Sequence, residues 1–423
     1  MRISGKLTNS YDLLRFTIST PHGQQIKANI TITGSKSESN RILLLQALYS
    51  GISIKNLSNA DDVRVMQKGL LFKQGEVDIH HAGTAMRFLT AYFSTLEGAD
   101  VVLTGSARMR ERPIGILVEA LRELGGQITY LENEGYPPLG IRGGTLSKSS
   151  ISLPANVSSQ YISALLLVAP SLEKGLTLNL EGQITSVPYI RMTLKLLEEL
   201  GIATEFKGQQ IRVFPQTHVE PKEVVVESDW SSASYFYSII AMSEPGSEIS
   251  LSSYKTDSLQ GDSVLQQIFT DFGLETRFEG HTIRLIKVGP PKITHLDCNL
   301  TEAPDLAQTL AVSCFGLGIS CTLSGLHTLK IKETDRLLAL ETEITKLGGQ
   351  ISTTKNALKL ESRNTLNSGV CIDTYNDHRM AMAFAPLAMY TEICINDAGV
   401  VSKSYPDFWE DLKTLSFEIQ EVS

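Results

Sequence analysis

The sequence predicts an α/β protein of two domains, each built from three copies of one repeated unit. Three observations favour this fold class. The chain has 423 residues, too many for one ordinary hydrophobic core, and its 42% hydrophobic and 20% charged residues are typical of a globular protein. Two series of sequence landmarks each recur six times, which indicates a repeated fold. Helical and short β-rich segments alternate along the chain.

The first landmark is a polar residue followed by an apolar helical run. These starts are Ser37, Thr84, Ser158, Ser231, Asp305 and Asp377. From Thr84 onward, successive starts are separated by roughly 73 residues. The runs, such as SSQYISALLLV, are apolar on nearly every face. We therefore expect buried helices rather than amphipathic surface helices.

The second landmark is a helix that ends at a small residue and leads into a strand. The predicted ends are Gly75, Gly125, Gly201, Gly273, Gly348 and Ser416. Glycine after a helix tolerates the left-handed conformation that closes it. Each end follows its start by about 40 residues, so each unit combines two helices with β-rich segments such as VVLTG and LTLNLEG.

The domain boundary is expected between the third and fourth units, near the proline-bearing polar segment FPQTHVEPKEV. We assign residues 34–226 to the first domain and residues 227–423 to the second. Residues 1–33 precede the first unit and could pair with either domain, and we place them with the second. Pockets commonly form between domains, so the predicted active site is the cleft between them.

Charge and composition exclude several classes of function. The chain has 38 basic and 46 acidic residues, and this net charge of −8 disfavours nucleic-acid or acidic-membrane binding. No apolar run approaches the roughly 18 residues of a membrane helix, and the first residues lack a signal or transit pattern. Five cysteines without a CxxC pair argue against a disulfide framework or a thiolate zinc site. We predict a cytoplasmic protein with small-molecule partners.

Polar and cationic residues gather at the predicted helix starts. A helix N-terminus offers unpaired N–H groups and a positive dipole end, which suit an anion. Lys36, Ser37 and Arg41 open the first helix, and His378 and Arg379 open the sixth. Any one of these residues alone is more often a helix cap or a solvated charge. If the starts converge, they form one cleft suited to a ligand with phosphate and carboxylate groups.

Several stretches together resemble the enolpyruvyl transferase family. They include TGSKSESNRILLLQAL, HAGTAMRFLTA, LTGSARMRERPIG, SLQGDS, IKETDRL and TYNDHRMAM, and they cover nearly the whole chain in the family's order. The resemblance implies an inside-out α/β barrel in each domain, made of three βαβαββ units with buried parallel helices. It also implies transfer of the enolpyruvyl group of phosphoenolpyruvate to the 5-hydroxyl of shikimate 3-phosphate, on the route to chorismate and the aromatic amino acids.

The same resemblance implies a role for individual residues. Those matched to shikimate 3-phosphate are Lys36, Ser37, Arg41, Ser158, Ser159, Gln160, Ser186, Tyr189, Asp305 and Lys332. Those matched to phosphoenolpyruvate are Lys36, Gly83, Arg112, Gln160, Arg336, Arg379 and Lys403. Asp305, Glu333 and Lys36 are the implied catalytic residues. The family's reaction requires no metal or organic cofactor, and its members are usually monomers.

The expected chemistry explains these residue types. Guanidinium and ammonium groups suit the carboxylate and phosphate of phosphoenolpyruvate. Glu333, aided by Lys36, would protonate the methylene carbon while Asp305 takes the proton of the attacking hydroxyl. A tetrahedral intermediate then loses phosphate. A carboxyl that acts as an acid near neutral pH needs a raised pKa, which burial can supply against nearby cations.

Three positions depart from the family's usual residues. The family commonly has Asn where His81 stands, Pro where Phe88 stands, and Asn where Thr328 stands. Glyphosate competes with phosphoenolpyruvate in this family, and Phe88 lies near the Gly83 backbone. We therefore expect Phe88 to shift its helix and to change the affinity for glyphosate.

Three alternatives remain. The sister enzyme that acts on UDP-N-acetylglucosamine normally has a reactive cysteine in a first-half loop, whereas every cysteine here lies at or beyond Cys298. A non-catalytic anion-binding relative would be expected to have lost Asp305 or Glu333, and both are present. A nucleotide or nucleic-acid binder is disfavoured by the net charge and by the lack of a GxxxxGK[ST] loop.

Overall fold

The computed structural model of the protein describes residues 14–20, 25–154, 158–182, 184 and 187–422. Its α-helices are α1 (Lys36–Leu48), α2 (Asp61–Gly69), α3 (Gly83–Thr95), α4 (Ala107–Arg110), α5 (Gly115–Leu124), α6 (Ser159–Val168), α7 (Val187–Glu199), α8 (Trp230–Met242), α9 (Leu265–Ile268), α10 (Ala307–Leu317), α11 (Arg336–Lys346), α12 (His378–Phe384) and α13 (Phe408–Thr414). Its strands are β1 (Arg15–Ser19), β2 (Lys27–Ile30), β3 (Ile52–Lys55), β4 (Gln74–Asp78), β5 (Asp100–Thr104), β6 (Gln127–Tyr130), β7 (Leu139–Arg142), β8 (Ser150–Pro154), β9 (Leu176–Glu181), β10 (Thr204–Lys207), β11 (Gln210–Val213), β12 (Lys222–Val225), β13 (Glu248–Leu251), β14 (Leu274–Glu279), β15 (Thr282–Lys287), β16 (His295–Asn299), β17 (Ser320–Ser324), β18 (Ile351–Thr353), β19 (Ala357–Leu360), β20 (Val370–Ile372), β21 (Ile393–Ile395) and β22 (Glu418–Val422).

The strands form six sheets, of which five share one topology. In each of these five, two neighbouring strands are parallel and two further strands are added antiparallel. Their strand orders are β4-β5-β7-β6, β8-β9-β11-β10, β2-β13-β15-β14, β16-β17-β19-β18 and β20-β21-β1-β22. The sixth sheet is the parallel pair of β3 and β12. Six sheets match the six repeats that the landmarks predict.

The six apolar helices begin close to the predicted starts and are buried. Ser158 and Asp377 are the N-caps of α6 and α12, and every residue of α8 is buried. Helix α3 packs against α6, and α10 packs against both α8 and α12. Because these helices contact other helices and sheets on all sides, an amphipathic pattern is not required of them.

The predicted helix ends are mostly confirmed, with one error. Gly125 closes α5 with φ of 114°, and Ser416 follows α13 with φ of 67°, which is unusual for a residue with a side chain. The helix end predicted at Gly75 is wrong. Helix α2 ends at Gly69, and Gly75 lies inside β4 with φ of 91°.

Two separate clusters of buried hydrophobic residues form the cores. One draws on residues between Ile42 and Val226, and the other on residues 18–32 and 230–417. Strands β1 and β2 pair with β21, β22 and β13, so they join sheets of the second cluster. The division into residues 34–226 and residues 1–33 plus 227–423 stays a proposal, which these two cores support.

The chain passes between the two cores at two adjacent crossing segments, residues 33–35 and 226–228. Gly34 and Ser228 form an antiparallel bridge, and Ser35 N donates to Glu227 O at 2.7 Å. None of the helices in the described ranges is both long and apolar enough to span a membrane.

Candidate active site

A cavity of about 560 Å³ lies between the two cores and is lined by residues of both. Most of the predicted site residues contribute to its wall. Those that do are Lys36, Ser37, Arg41, Gly83, Arg112, Ser158, Ser159, Gln160, Tyr189, Asp305, Lys332, Glu333, Arg336 and Arg379. Thr328 also lines the cavity. The structure therefore brings together residues as far apart in the chain as Lys36 and Arg379.

Two predicted residues do not lie in this wall. The wall includes Ser404 rather than Lys403, whose Nζ donates to Asn376 O at 2.5 Å. Burial lowers the pKa of Lys403, although Glu333 and Asp377 oppose that effect, so its ammonium lies within electrostatic reach of the site. Ser186 falls outside the described residues.

Helix N-termini point at the cavity because the buried helices begin there. Ser158 Oγ accepts from Gln160 N at 3.3 Å at the start of α6, and Asp377 Oδ1 accepts from Arg379 N at 2.9 Å at the start of α12. Each cap satisfies one N–H and leaves others free to bind an anion. Gln160 also donates from Nε2 to Thr84 Oγ1 at 3.1 Å, which joins α6 to α3.

Arg41 is held rigidly on the first-domain side. Its guanidinium donates to Ser37 O at 2.7 Å, to Ser163 Oγ at 2.9 Å and to Thr193 Oγ1 at 2.8 Å. It also lies 5.4 Å from the ring centroid of Phe88. Burial lowers the Arg41 pKa to about 10, so the side chain remains cationic at neutral pH.

Gly83 leaves room for a close approach of the Arg112 side chain. A Cβ atom at this position would lie 2.6 Å from Arg112 Nη1. Glycine therefore lets the Arg112 guanidinium rest against the first turn of α3. Nearby, His81 Nδ1 and Ser106 Oγ are hydrogen-bonded at 2.8 Å.

Arg336 is the centre of the second-domain side. Its guanidinium donates to Asp377 Oδ2 at 2.6 Å, to Asp305 Oδ1 at 2.8 Å and to Glu333 Oε2 at 2.9 Å, and the residue is 2% exposed. Asp305 also accepts from Arg379 at 2.9 Å. One carboxylate is thereby shared between two arginines.

These cations determine the charge of the two candidate catalytic carboxyls. Burial alone raises the pKa of Asp305 and of Glu333, but the surrounding cations outweigh it and hold both pKa values well below the usual range. For Asp305 the main cations are Arg379 and Lys332, and for Glu333 they are Arg336 and Arg112. The raised pKa that a Glu333 proton donor needs is therefore not produced by the protein's own side chains.

Lys36 remains protonated. Burial lowers its pKa, but Asp62 and Glu333 oppose that effect, and the net pKa is raised. Its Nζ lies 3.1 Å from Asp62 Oδ2, and its backbone N–H donates to Asp229 Oδ2 at 3.3 Å across the two cores. Lys36 is thus a cation held in a fixed position at the cavity wall.

Polar residues of the wall that were not predicted from the sequence include Asp62, Asp229, Gln260 and Asp262. Burial, followed by the charge of Asp305, raises the pKa of Asp262 to about 7. The SLQGDS stretch was a usable signal for Gln260 and Asp262, and Asp229 is the N-cap of α8. Among the described residues, no group of three His, Cys, Asp or Glu side chains is arranged to hold a metal ion.

Comparison with known proteins shows which family the chain is similar to. The family model for EPSP synthase (3-phosphoshikimate 1-carboxyvinyltransferase) matches residues 67–412. A 3-phosphoshikimate 1-carboxyvinyltransferase of Bacteroides fragilis is 47% identical, over 96% of this chain and 99% of that protein. One of Vibrio atlanticus is 36% identical, over 93% and 98%.

Solved structures agree on the fold. An EPSP synthase of Acinetobacter baumannii matches with a TM-score of 0.76 at 21% identity, over 96% of this chain and all of that one. The predicted fold class, a two-domain α/β protein of the enolpyruvyl transferase type, is confirmed. The chain therefore belongs to the EPSP synthase (3-phosphoshikimate 1-carboxyvinyltransferase) family.

Proposed function

We propose that this protein transfers the enolpyruvyl group of phosphoenolpyruvate to the 5-hydroxyl of shikimate 3-phosphate and releases phosphate. The observation that carries this proposal is the single cavity in which cations and two catalytic-type carboxylates from both cores meet. The names of the relatives support the substrate assignment. The site is completed within one chain, which supports a monomer, and we further propose a cytoplasmic location.

The charge of the cavity suits two anionic substrates. Its cationic lining residues are Lys36, Arg41, Arg87, Arg112, Lys332, Arg336 and Arg379. Guanidinium groups bind carboxylate and phosphate through paired hydrogen bonds, and both substrates carry these two groups. We place shikimate 3-phosphate against the starts of α1 and α6, near Arg41, and phosphoenolpyruvate between Arg112 and Arg336.

Substrate binding would also prepare the carboxyls for proton transfer. The anionic groups of phosphoenolpyruvate beside Arg112 and Arg336 would offset the cations that depress the Glu333 pKa. The pKa of Glu333 is then expected to rise toward the range of a proton donor, while Lys36 is already protonated. Asp305 is ionised and can accept the hydroxyl proton.

The proposed reaction has two balanced steps. Asp305 takes the proton of the 5-hydroxyl, the oxygen bonds to C2 of phosphoenolpyruvate, and Glu333 or Lys36 delivers a proton to C3. The group that delivered this proton then takes one back from the new methyl group as the C2–O bond to phosphate breaks, which restores the double bond, and the leaving phosphate takes the proton held by Asp305. Positioned proton transfer typically contributes about 10²- to 10⁴-fold to the rate.

The first prediction concerns substrate requirement. Inorganic phosphate should be released only when shikimate 3-phosphate and phosphoenolpyruvate are both present, because the attacking hydroxyl and the leaving phosphate come from different molecules. A phosphate-release assay with each substrate omitted in turn measures this. Release with UDP-N-acetylglucosamine in place of shikimate 3-phosphate would show the sister activity instead.

The second prediction concerns Asp305. The Asp305→Asn variant keeps one acceptor oxygen, for either Arg336 or Arg379, and loses the base. We expect kcat to fall by about 10² to 10⁴. Steady-state kinetics and circular dichroism measure turnover and folding separately. A folded variant with kcat within a few-fold of the original would contradict the role of Asp305.

A further inference from the structure

Glu38 joins helix α1 to the second crossing segment. It is the third residue of α1, is 6% exposed, and accepts from Glu227 N at Oε2 over 3.2 Å. The same helix carries Lys36, Ser37 and Arg41 into the cavity. Any change at the contact between Glu38 and Glu227 therefore acts on the anion-binding start of α1.

The Glu227 carboxylate is the centre of a hydrogen-bond network that reaches the cavity. It accepts from Trp230 Nε1 at 2.8 Å, from Lys255 N at 2.9 Å and from Ser258 Oγ at 2.7 Å. Gln260, a residue of the cavity wall, donates to Glu227 Oε2 at 3.3 Å and to Ser228 O at 2.9 Å. Glu38 is thus linked to both sides of the site without lining it.

The charged groups that act on Glu38 come from several elements. They are Glu227 in the second crossing segment, Lys255 after it in the chain, Glu199 at the end of α7, and Arg41 on α1 itself. Burial raises the Glu38 pKa to about 7, Lys255 opposes this rise, and Glu227 adds to it. Burial also raises the pKa of Glu227. Glu38 therefore exchanges its proton close to neutral pH.

We propose that Glu38 is a positioning residue whose protonation state sets how the start of α1 lies against the crossing at Glu227, and thereby the affinity for shikimate 3-phosphate. This inference rests on the proposed function. Burial and the charge of Glu227 disfavour ionised Glu38 and outweigh the Glu227 N–H, which alone would favour the ionised form. Because the buried pKa is above the ordinary value, the favourable contribution of neutral Glu38 is complete below about pH 4.5 and is lost as pH rises to about 7.

The kinetic test uses Glu38→Gln, which stays neutral at every pH. The ratio of KM for shikimate 3-phosphate in the unaltered protein to that in the variant should grow by up to about fourfold between about pH 5.5 and pH 7.5, because a carboxyl of pKa about 7 becomes mostly ionised over this range. The corresponding ratio of kcat should stay constant. The ionisation of substrate phosphate cancels in both ratios. A KM ratio that does not change with pH would overturn the proposal.

The matched control is Glu123→Gln, which neutralises an exposed glutamate on α5. Its KM ratio should be constant over the same pH range. A pH-dependent ratio in this control would show that loss of any glutamate charge has the same effect, and it would also overturn the role of Glu38.

A second test needs no substrate. Trp230 donates to Glu227 and is one of two tryptophans, so its fluorescence can be followed in a Trp409→Phe background. We expect a titration with a midpoint at about pH 7 that disappears in Glu38→Gln. Lys255→Met removes the opposing cation and should move the midpoint upward. A titration unchanged by both substitutions would overturn the proposal.

The two tests separate two possible failures. A protein that releases no phosphate from the two substrates would contradict the proposed function, and the fluorescence titration would still decide the role of Glu38. Should Glu38→Gln not fold, Glu38→Ala, which also removes the carboxyl, gives the same decision through the loss of the titration.

Discussion

Arg336 is the residue on which the charge balance of the cavity depends. A single guanidinium with almost no exposure donates to three carboxylates at 2.6 to 2.9 Å. Its planar arrangement of five donors makes this possible, and a lysine ammonium could not reproduce it. Two of these three carboxylates are Asp305, the proposed base, and Glu333, the proposed acid. The cation that holds them in place therefore also lowers their pKa values.

The third prediction is that Arg336→Met destabilises the fold in a pH-dependent way. The pKa values of Asp305 and Glu333 are depressed, so their interaction with Arg336 stabilises the fold above their ordinary pKa and is lost as pH falls. Removing one partner of a buried ion pair typically costs about 3 to 5 kcal/mol. We expect that loss near neutral pH and a smaller one below about pH 4, where the stabilisation of the depressed carboxyls is itself being lost to protonation.

Urea unfolding at both pH values measures the free energy of unfolding of this variant. Arg277→Met is the control, because Arg277 forms an exposed surface pair with Glu275 at 2.7 Å and should contribute little to stability. An equal loss of stability at both pH values for Arg336→Met would contradict the claim that Arg336 stabilises the ionised forms of Asp305 and Glu333.

Single residues of the site could be predicted only where a sequence signal marks them. Lys36, Arg112 and Arg336 were predicted because they lie in distinctive stretches at helix starts. Asp62 was not, because its role arises from the 3.1 Å contact with Lys36 that the fold creates. The direction of the Glu333 pKa shift could not be predicted from the sequence either. It depends on whether burial, which raises the pKa, or the nearby cations, which lower it, have the larger effect.

At the scale of elements, helix α3 carries Phe88, one of the three positions that differ from the family's usual residue. Phe88 is fully buried in the middle of α3, and its ring lies against the Arg41 guanidinium. The family commonly has proline at this position, whereas the structure forms a regular helix from Gly83 to Thr95. The first turn of this helix contacts Arg112.

The fourth prediction is that Phe88→Pro changes the inhibition constant of glyphosate. Proline removes a helix N–H and leaves a cavity where the ring was. We therefore expect the free energy of unfolding to fall by about 3 kcal/mol or more and the turn at Gly83 to shift. Inhibition kinetics against phosphoenolpyruvate measure the effect. Phe88→Leu, which keeps the N–H, separates loss of the ring from the backbone change. An unchanged inhibition constant in a folded Phe88→Pro variant would contradict this hypothesis.

The order of elements was largely predictable, because buried helices and glycine-closed helix ends leave strong local patterns. The error at Gly75 has a physical reason. A glycine with positive φ appears both after helices and within strands, and only the pairing of β4 with β5 distinguishes the two cases. The pairing of β1 with β21 and β22 was also beyond prediction, because it joins residues almost four hundred positions apart.

At the scale of the whole molecule, the cavity exists only because two separately packed halves meet. Asn59 Nδ2 donates to Asp407 Oδ2 at 2.5 Å, and Arg108 donates to Lys332 O at 3.4 Å, across the two cores. Within the part of the chain that the structure describes, the covalent links between the cores are the adjacent crossing segments at residues 33–35 and 226–228. Since each half supplies part of the wall, we expect the halves to close on shikimate 3-phosphate.

The fifth prediction tests closure at Gly34, in the first crossing segment. A Cβ atom here would lie 1.9 Å from Asn56 O and 2.7 Å from Val226 Cγ1, so alanine must displace backbone. We expect Gly34→Ala to raise KM for shikimate 3-phosphate and to reduce the decrease in radius of gyration that this ligand causes. Small-angle scattering with and without ligand measures that decrease.

Gly144→Ala is the control, because its Cβ would meet nothing within 4 Å. Absence of compaction in the unaltered protein would contradict closure itself, whereas equal compaction in Gly34→Ala would show that the crossing segment tolerates displacement and that closure is controlled elsewhere.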